Sequence, residues 1–285
     1  MLDSPIENRL KTKALEIRED VVRMLVEAGS GHVAGALGMA DVFTALYFGD
    51  VVKYDPQNPT GDERDRVVLS NGHICPVLYA TLAHAGYFPL GDLDTLRRFG
   101  SSLQGHPHRL SLPGIETTSG PLGSGLSQAA GMAYIGKKES LHWRVFCIGS
   151  DGEHQEGNWW EGVMFAAKYK LNNLTLIIDR NNIQIDGYTE EVMPLESLRA
   201  KYEAFNWYVL EVDGHNFEMI IDAVGQAKAI AEKPTVIIAH TIPGKDIEFM
   251  ESLPEWHGRT LDVGDAVEAL AELRSLGGKI DSDWS

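Results

Sequence analysis

RVFCIGSDGEHQEGNWWEG, residues 144–162, is an apolar run that passes directly into a segment rich in glycine and acidic residues. The same arrangement returns in LTLIIDRNNIQIDG, residues 174–187. Short continuous apolar runs predict buried strands, and parallel strands deliver their carboxyl-terminal loops to one edge of a sheet, where ligands bind. We therefore expect Asp151 and Asn181 to lie near each other at that edge.

The surrounding sequence alternates further strand-like runs with helical patterns. The other apolar runs are VVLS (67–70), WYVLEV (207–212) and TVIIAH (235–240). Apolar residues at helical spacing predict helices over residues 5–28, 41–48, 124–137, 158–169, 195–205 and 218–231, and another helix that begins near His73. This alternation predicts an α/β protein with a doubly wound parallel sheet.

Two segments contain too much glycine to predict regular structure. They are GSGHVAGALG, residues 29–38, and the longer segment 100–123, which is also rich in proline, serine and histidine. A loop as long as the second one is usually functional in a compact domain. We expect one domain over residues 1–275, followed by a flexible tail over residues 276–285.

The charge balance is strongly acidic. The chain has 25 Lys and Arg against 41 Asp and Glu, a formal net charge of −16. This charge repels nucleic acid and anionic membrane surfaces, so we expect neither as a partner. It repels phosphorylated ligands as well, so a phosphate site here needs a metal, helix amino termini or local donors.

The cysteines and the apolar stretches bear on the cellular location. Cys75 and Cys147 are the only cysteines, and their apolar surroundings predict buried thiols rather than a disulfide framework. No stretch approaches the roughly 18 consecutive apolar residues that a membrane helix needs. We expect a soluble, cytoplasmic protein.

Asp151 and Asn181 offer the kind of ligands that magnesium prefers. Mg²⁺ takes about six oxygens, and the Asp carboxylate, the Asn amide oxygen and a backbone carbonyl near Ile183 could supply three. Gly152 lets the backbone approach a diphosphate closely, and the helix predicted from Asn158 would direct free N–H groups toward the anion. Alone, Asp-Gly also fits an ordinary turn. The paired loops favour a metal-bridged diphosphate.

SDGE (150–153) followed by NNIQIDG (181–187) closely resembles the thiamine diphosphate fingerprint of transketolases. In that family an aspartate, an asparagine and an isoleucine carbonyl hold the metal, and they match Asp151, Asn181 and Ile183. Ser150 stands where the family has the first glycine of the motif, a departure that removes no ligand. The resemblance implies thiamine diphosphate and Mg²⁺, or another divalent cation such as Ca²⁺ or Mn²⁺, as cofactors.

Four histidine motifs extend the resemblance over roughly residues 10–260. They are SGHVAGALGMAD with His32, LSNGHICPVLYA with His73, QGHPHRLSLPGIETTSGPLGSG with His106, and PEWHG with His257. A lone histidine is more often a surface or core residue, but all four match transketolase motifs in order. The resemblance implies that His32, His106 and His257 contact the substrate hydroxyls and the developing oxyanion. It also implies that His73 and His257 contact the cofactor.

Two further elements take a role from the resemblance. Gly120, Pro121 and Leu122 match the family's loop whose backbone contacts the aminopyrimidine ring, although the segment also fits an ordinary tight turn. Glu156 matches a glutamate at the subunit interface beside the cofactor, which the family places among its catalytic groups. Its other interpretation is a solvated acid in the first turn of a helix.

One segment departs from the family pattern. Transketolases usually have Thr-x-Lys-Gly-Lys-Gly before the tryptophan and His-Gly, whereas this chain has TIPGKDIEFMESLPEWHG, residues 241–258. Pro243 and Asp246 replace a lysine and a glycine, which adds stiffness and removes positive charge. The preference for phosphorylated sugars is thereby in doubt. His215, in the family-like segment DGHN, has no assigned role.

The resemblance implies a two-chain enzyme. The family takes a carboxylate for the cofactor's pyrimidine ring from a second, pyrimidine-binding domain, and this sequence contains only the diphosphate-binding part. We expect the partner to be a C-terminal transketolase subunit, in an α2β2 assembly. The expected reaction is reversible transfer of a two-carbon ketol group from a ketose phosphate to an aldose phosphate.

Three alternatives remain. One is a subunit of another thiamine diphosphate enzyme, a 2-oxoacid dehydrogenase component or a deoxyxylulose phosphate synthase relative. Another is a nicotinamide dehydrogenase, although GPLGSG (120–125) is not a GxGxxG fingerprint. The third is a non-catalytic protein that binds thiamine diphosphate. A neighbouring open reading frame with a pyrimidine-binding domain would favour the two-chain transketolase.

Overall fold

A five-stranded parallel sheet forms the centre of the protein. The structure, a computed structural model, describes residue 2 and residues 4–282, and of residues 276–282 it describes the backbone alone. The strands are β1 (Arg66–Leu69), β2 (Val145–Ser150), β3 (Leu174–Arg180), β4 (Ile183–Gln184), β5 (Gly187–Tyr188), β6 (Tyr208–Asp213) and β7 (Thr235–His240). The sheet has the order β1-β2-β3-β7-β6, and β4 pairs with β5 in a separate antiparallel hairpin.

Helices cover both faces of this sheet. They are α1 (Ser4–Ala28), α2 (Ala34–Gly38), α3 (Ala40–Phe48), α4 (Cys75–His84), α5 (Ser124–Lys138), α6 (Gly157–Lys168), α7 (Thr189–Val192), α8 (Leu198–Ala204), α9 (Phe217–Ala229) and α10 (Val263–Ser282). Alternate side chains of β3 enter two separate cores: Ile177 packs with α1, α3, α4 and α9, while Leu176 and Ile178 pack with α5, α6 and α8. This is the predicted doubly wound α/β architecture.

The end of β2 is held close to the helix that follows it. A Cβ atom on Gly149 would lie 2.2 Å from Trp159 of α6, so only glycine lets this fully buried tryptophan pack against the strand. In the sheet Gly149 pairs with Ile178 and Ser150 with Asp179. The loops that follow β2 and β3 therefore start at the same level of the sheet.

The structure changes parts of the sequence interpretation. The predicted loop 29–38 contains α2, because Gly35 and Gly38 permit close contact with Ile74 and with the carbonyl of Ile242. The other predicted helices end within three residues of their observed bounds, and segment 100–123 forms turns without helix or strand. Both cysteines are buried free thiols, as predicted.

The carboxyl-terminal helix was not predicted from the sequence. Helix α10 continues through 276–282, part of the predicted tail, and residues 283–285 of that tail lie outside the described residues. No helix within the described part of the chain is long and apolar enough to cross a membrane.

Candidate active site

The loops after β2 and β3 meet, as the sequence predicts. Asp151 N donates to Asp179 O at 3.1 Å, and Asp151 Oδ2 accepts from Asn182 N at 2.7 Å. Asp151 Oδ1 accepts from Gly152 N at 2.7 Å. The Asp151 carboxylate therefore joins the two loops at the carboxyl edge of the sheet.

A buried arginine, Arg180, forms an ion pair with this carboxylate. Asp151 is fully buried, and Arg180 Nη1 donates to Asp151 Oδ2 at 3.1 Å, while Arg180 Nη2 contacts Glu190 and Glu196 at 2.8 Å each. Burial raises the pKa of Asp151 to about 6 although Arg180 opposes that shift. Sequence reasoning missed Arg180, since a charged residue at a strand end does not reveal its partners.

Asn181 is oriented by the carboxylate of Asp179. Asn181 Nδ2 donates to Asp179 Oδ2 at 2.8 Å, and Asn181 Oδ1 accepts from Ile183 N at 3.1 Å. Thr241 also donates to Asp179, whose pKa burial raises to about 7. Asp179, which sequence reasoning did not single out, therefore fixes which end of the Asn181 amide is the acceptor.

The donor set at this edge fits a magnesium diphosphate better than a metal held by protein alone. Asp151, Asn181 and Ile183 offer oxygens, which suit Mg²⁺. Within the described residues no group of three or more His, Cys, Asp or Glu side chains is placed to hold a metal ion. A cation here would therefore take the rest of its ligands from a diphosphate and water.

Glu153 connects this edge with the loop of Gly120, Pro121 and Leu122. It is fully buried, and its Oε1 accepts from Ser70 Oγ at 2.6 Å and from Gly123 N at 2.9 Å. Its Oε2 accepts from Ser150 N at 3.0 Å. Burial raises the pKa of Glu153 to about 7. The residue stands inside the SDGE motif, yet its contacts could not be predicted from that motif.

His154 contacts the same edge of the sheet at Ser150. It is buried, and its Nδ1 lies 2.9 Å from Ser150 O and its Nε2 lies 2.7 Å from Tyr202 Oη, which also accepts from Trp159 Nε1 at 2.8 Å. These partners assign the proton to Nδ1 and leave Nε2 as acceptor. Its contacts hold the ring in place against the end of β2.

Three of the predicted histidines form one cluster. The ring centroids lie 5.0 Å apart for His32 and His73, 5.2 Å apart for His73 and His257, and 5.8 Å apart for His32 and His257. These residues come from distant parts of the chain, and the fold brings them to one wall of a cavity of about 420 Å³. His106 lines the same cavity.

Burial keeps these histidines neutral at pH 7. It lowers the pKa of His32 to about 4, with smaller contributions from the nearby His257, Arg97 and His106. Burial is also the main cause that lowers the pKa values of His73, His106 and His257. A neutral imidazole can donate a hydrogen bond with one nitrogen and accept with the other.

The cavity joins the histidine cluster to the sheet edge. Its described lining is His32, His73, His106, Gly120, Leu122, Ser150, Gly152, Gln155, Glu156, Ile183, Gln184, Ile185, Asp186 and His257. Gly120 has φ +151°, a backbone conformation that side chains rarely adopt. Pro121, Asp151 and Asn181 are not part of this lining. Pro121 and Asp151 directly adjoin lining residues in the sequence, and Asn181 accepts a hydrogen bond from the lining residue Ile183.

Unpaired polar atoms mark the histidine side of the cavity. Buried Nδ1 atoms of His32 and His257 have no hydrogen-bond partner within the described residues. Leaving such groups unpaired costs about 1–3 kcal/mol each, which a ligand with hydroxyl or phosphate groups would recover. The residues present therefore fit a polar cofactor and a hydroxyl-bearing substrate.

Glu156 lies at the exposed rim of the cavity. It is the residue that precedes α6, and its side chain makes no capping hydrogen bond. This position leaves the carboxylate exposed, and the interface role that the resemblance implies stays a prediction.

The divergent segment 241–258 is hydrogen-bonded to the first residue of α2, two residues after His32. Gly244 N donates to Ala34 O at 2.9 Å, and Asp246 forms an ion pair with buried Arg18 at 3.1 Å. Asp246 is not among the residues that line the cavity. Its negative charge is therefore directed into the protein rather than toward a substrate.

His215, whose role the sequence left open, also holds this segment. Its Nδ1 lies 2.7 Å from Asp41 Oδ2, and its Nε2 accepts from Ile242 N at 2.8 Å. Arg18 pairs with the same Asp41. His215 thus joins segment 241–258 to α3 and α1.

Comparison with known proteins identifies the family. A model of the transketolase thiamine diphosphate-binding domain matches residues 11–276. This chain belongs to the transketolase family. A 6-deoxy-6-sulfo-D-fructose transketolase subunit from Clostridium sp. (strain MSTE9) is 44% identical over 94% of this chain and 97% of its own length. An apulose-4-phosphate transketolase subunit from Phocaeicola vulgatus is 39% identical over 96% of this chain and 97% of its own length.

Longer transketolases share the same domain. Human transketolase is 37% identical over 93% of this chain, which spans 42% of the human protein. The structure of transketolase from Campylobacter jejuni matches with a TM-score of 0.86 at 34% identity and covers 95% of this chain, which spans 43% of that one. The predicted family, fold class and transferase class are confirmed. Roles of individual site residues stay predictions.

Proposed function

We propose that this chain is the cofactor-binding subunit of a two-chain transketolase, which reversibly transfers a two-carbon ketol group from a ketose phosphate to an aldose phosphate. The observation that carries the proposal is the single cavity in which a cluster of neutral histidines faces the loops of Asp151 and Asn181. The match to the thiamine diphosphate-binding domain supports the cofactor.

Residues of the sheet edge would hold the cofactor. Asp151, Asn181 and the Ile183 carbonyl would bind Mg²⁺ or a similar divalent cation, and Gly152 would lie against the diphosphate. Gly120, Pro121 and Leu122 would contact the aminopyrimidine ring, and His73 the cofactor beside them. When bound, thiamine diphosphate supplies a nucleophilic carbon that carries the two-carbon unit.

The other histidines would act on the sugar. Neutral His32, His106 and His257 can each donate a hydrogen bond to a carbonyl oxygen that gains negative charge, or accept a proton from a hydroxyl group. Their low pKa values keep an acceptor nitrogen free at neutral pH. His257 would contact both the sugar and the cofactor, because it lies in van der Waals reach of the His32 and His73 rings.

A partner chain would complete the site. Two relatives that this chain matches over 97% of their own length are named as transketolase subunits. A C-terminal subunit would supply the pyrimidine-binding domain and its glutamate, with Glu156 at the contact and an α2β2 assembly as the active form. Glu156 lines the cavity and is exposed, which is compatible with such a contact.

Reconstitution tests this proposal. Ketose phosphate cleavage is measured with this chain alone at saturating thiamine diphosphate and Mg²⁺, and then with increasing amounts of the candidate partner. We expect no ketol transfer by the isolated chain, because the partner's carboxylate is missing and the cofactor stays open to water. Activity should appear on mixing and saturate near one partner per chain. Robust turnover by the isolated chain would refute the two-chain proposal.

A further inference from the structure

A network of hydrogen bonds outside the cavity holds segment 241–258, which carries His257. His215 Nδ1 lies 2.7 Å from Asp41 Oδ2 of α3, and His215 Nε2 accepts from Ile242 N at 2.8 Å. Because Nε2 accepts a hydrogen bond, the ring proton lies on Nδ1, from which it is donated to Asp41. His215 therefore connects α3 to the backbone of the segment in one fixed tautomer.

Asp41 is itself held in place by Arg18 of α1. Both residues are buried, and Arg18 Nη1 donates to Asp41 Oδ1 at 3.2 Å while Arg18 Nε donates to Leu37 O at 3.2 Å. Although burial opposes the shift, Arg18 and His215 lower the pKa of Asp41, so its side chain is a carboxylate that accepts from both of them. The ring of His215 is thus oriented by an ion pair between α1 and α3.

The hydrogen bond at Ile242 restricts the segment as far as His257. Pro243, the next residue, accepts with its carbonyl oxygen from Ser252 N at 3.0 Å. Ser252 precedes His257 by five residues, and a short 3₁₀-helix, Pro254–Trp256, leads directly into His257. A fixed position of Ile242 therefore limits the positions that the backbone of His257 can take.

The segment also lies against α2, which begins two residues after His32. A Cβ atom on Gly38 would lie 2.8 Å from Ile242 O, so the backbone of the segment approaches this buried helix closely. Displacement of Ile242 is therefore a displacement relative to His32. It would change the separation of 5.8 Å between the ring centroids of His32 and His257.

We propose that His215 is a positioning residue for His257, which it holds in place through segment 241–258. The inference rests on the proposed transketolase function and deepens it, because it assigns a part in turnover to a histidine away from the substrate. His215 is not among the described residues that line the cavity, so its effect on the sugar passes through the segment.

Two substitutions separate the two hydrogen bonds of His215. His215→Asn keeps a donor for Asp41 near the position of Nδ1 but is too short to reach Ile242 N, whereas the longer amide of His215→Gln can accept from it. In the reconstituted two-chain enzyme we expect His215→Asn to lower kcat by about 10-fold, because a displacement of about 1 Å near a reacting group can cost about 10²-fold. His215→Gln should recover most of this loss. Steady-state kinetics with a ketose phosphate donor measure both variants.

A double-mutant cycle shows whether the effect passes through His257. With His257→Ala already present, His215→Asn should lower kcat by less than about 2-fold further, because the group that it positions is gone. An equal loss of kcat with and without His257 would refute the proposal, since His215 would then support the fold in general. Unchanged kcat in His215→Asn alone would refute it as well.

A matched control breaks a histidine–aspartate pair elsewhere in the protein. His84 Nε2 lies 2.9 Å from Asp20 Oδ2, and His84 is not among the described residues that line the cavity. His84→Asn is therefore the same substitution in a pair that joins α4 to α1, and it should leave kcat unchanged. A loss of kcat equal to that of His215→Asn would contradict the proposal.

The NMR signals of the His257 ring provide a readout that does not require turnover. We expect them to shift in His215→Asn and to return toward their parent positions in His215→Gln. Unchanged signals in His215→Asn would mean that this network does not hold His257, and would overturn the proposal. Failure of the transketolase proposal is seen separately, as absent ketol transfer by the assembled parent enzyme.

Discussion

The two sides of the cavity differ in how completely their polar groups are paired. At the sheet edge, Asp151 and Glu153 each accept three or more hydrogen bonds from the protein itself. On the other side, Nδ1 atoms of His32 and His257 are buried without a partner within the described residues. The sheet edge thus pairs its polar groups within the protein, whereas the histidine side leaves two buried nitrogen atoms unpaired. We expect mutations on the first side to affect folding and cofactor affinity, and mutations of His32 and His106 on the second to affect turnover.

Asp151→Ala should produce the largest effect, because it damages both the fold and the proposed metal site. The change leaves the buried Arg180 without its most buried partner, although Glu190 and Glu196 remain. Removing one partner of a buried ion pair typically costs about 3–5 kcal/mol, and we expect the lower end here. Urea unfolding measures the stability, and calorimetry with thiamine diphosphate and Mg²⁺ should detect no metal-dependent binding.

The matched control for this change is Asp186→Ala. Asp186 lines the same cavity but is exposed, so the variant removes the same charge with little effect on the free energy of unfolding. If Asp151→Ala in assembly with its partner bound the cofactor as tightly as the parent, the assignment of Asp151 as a metal ligand would be wrong.

His32→Ala and His106→Ala should lower turnover without a comparable loss of cofactor affinity. Removing a group that stabilises developing charge or moves a proton typically costs about 10²-fold in rate. His73→Ala serves as the contrast, since we place it against the cofactor, and it should weaken thiamine diphosphate binding. Steady-state kinetics and cofactor titration of the three variants measure this difference. Unchanged donor-sugar kinetics in the first two variants would remove both residues from the proposed site.

The fold and the sheet-edge motif could be predicted from the sequence because both depend on local patterns. A buried strand that ends in Ser-Asp-Gly and a neighbouring strand that ends in Arg-Asn-Asn must place their loops at one edge, given parallel pairing. Asp151 and Asn181 were predicted to meet for this reason, and the structure brings their loops together. Helix α2 was missed because its glycines act through packing against Ile74 and Ile242, which no local pattern reveals.

The histidine side could be predicted only through resemblance to a family. His32, His73 and His257 are separated by long stretches of sequence, and no spacing rule brings them together. The supporting residues Arg180, Asp179 and Glu153 were missed for a related reason: their function is to pair with atoms of other segments. Sequence patterns thus indicate which groups carry chemistry, and the structure is needed to find the residues that orient them.

The histidine side should also respond to pH. The pKa of His32 falls from its ordinary 6.5 to about 4 in the folded protein, so between these values the unfolded chain binds more protons. The contribution of His32 to the free energy of unfolding therefore decreases as the pH falls from about 6.5 toward 4. Full burial would give about 1.4 kcal/mol per pH unit, and partial access of water reduces this to roughly 1.

Two measurements examine this pH dependence. Urea unfolding between pH 7 and 4 should show that the parent loses stability relative to His32→Gln as the pH falls, because the variant lacks the titrating group. An NMR titration of the His32 ring should give a midpoint well below 6.5. A midpoint near 6.5 would mean that the imidazole is solvated. The proposal that burial keeps the clustered histidines neutral would then be wrong.

We expect the smallest effect from substitutions of Asp246, in the divergent segment 241–258. Asp246 has φ +71°, pairs with Arg18 and does not line the cavity. Both Asp246→Ala and Asp246→Gly remove the ion pair, but only glycine adopts this backbone conformation without strain, so the alanine variant should be about 1 kcal/mol less stable than the glycine variant. Urea unfolding compares the two.

KM for a ketose phosphate should change less than about 2-fold in either Asp246 variant, since a charge already paired with an arginine exerts little field at a distance. A large rise or fall of KM would mean that Asp246 acts on the substrate, and that the two sides of the cavity are less separate in function than their hydrogen bonding indicates.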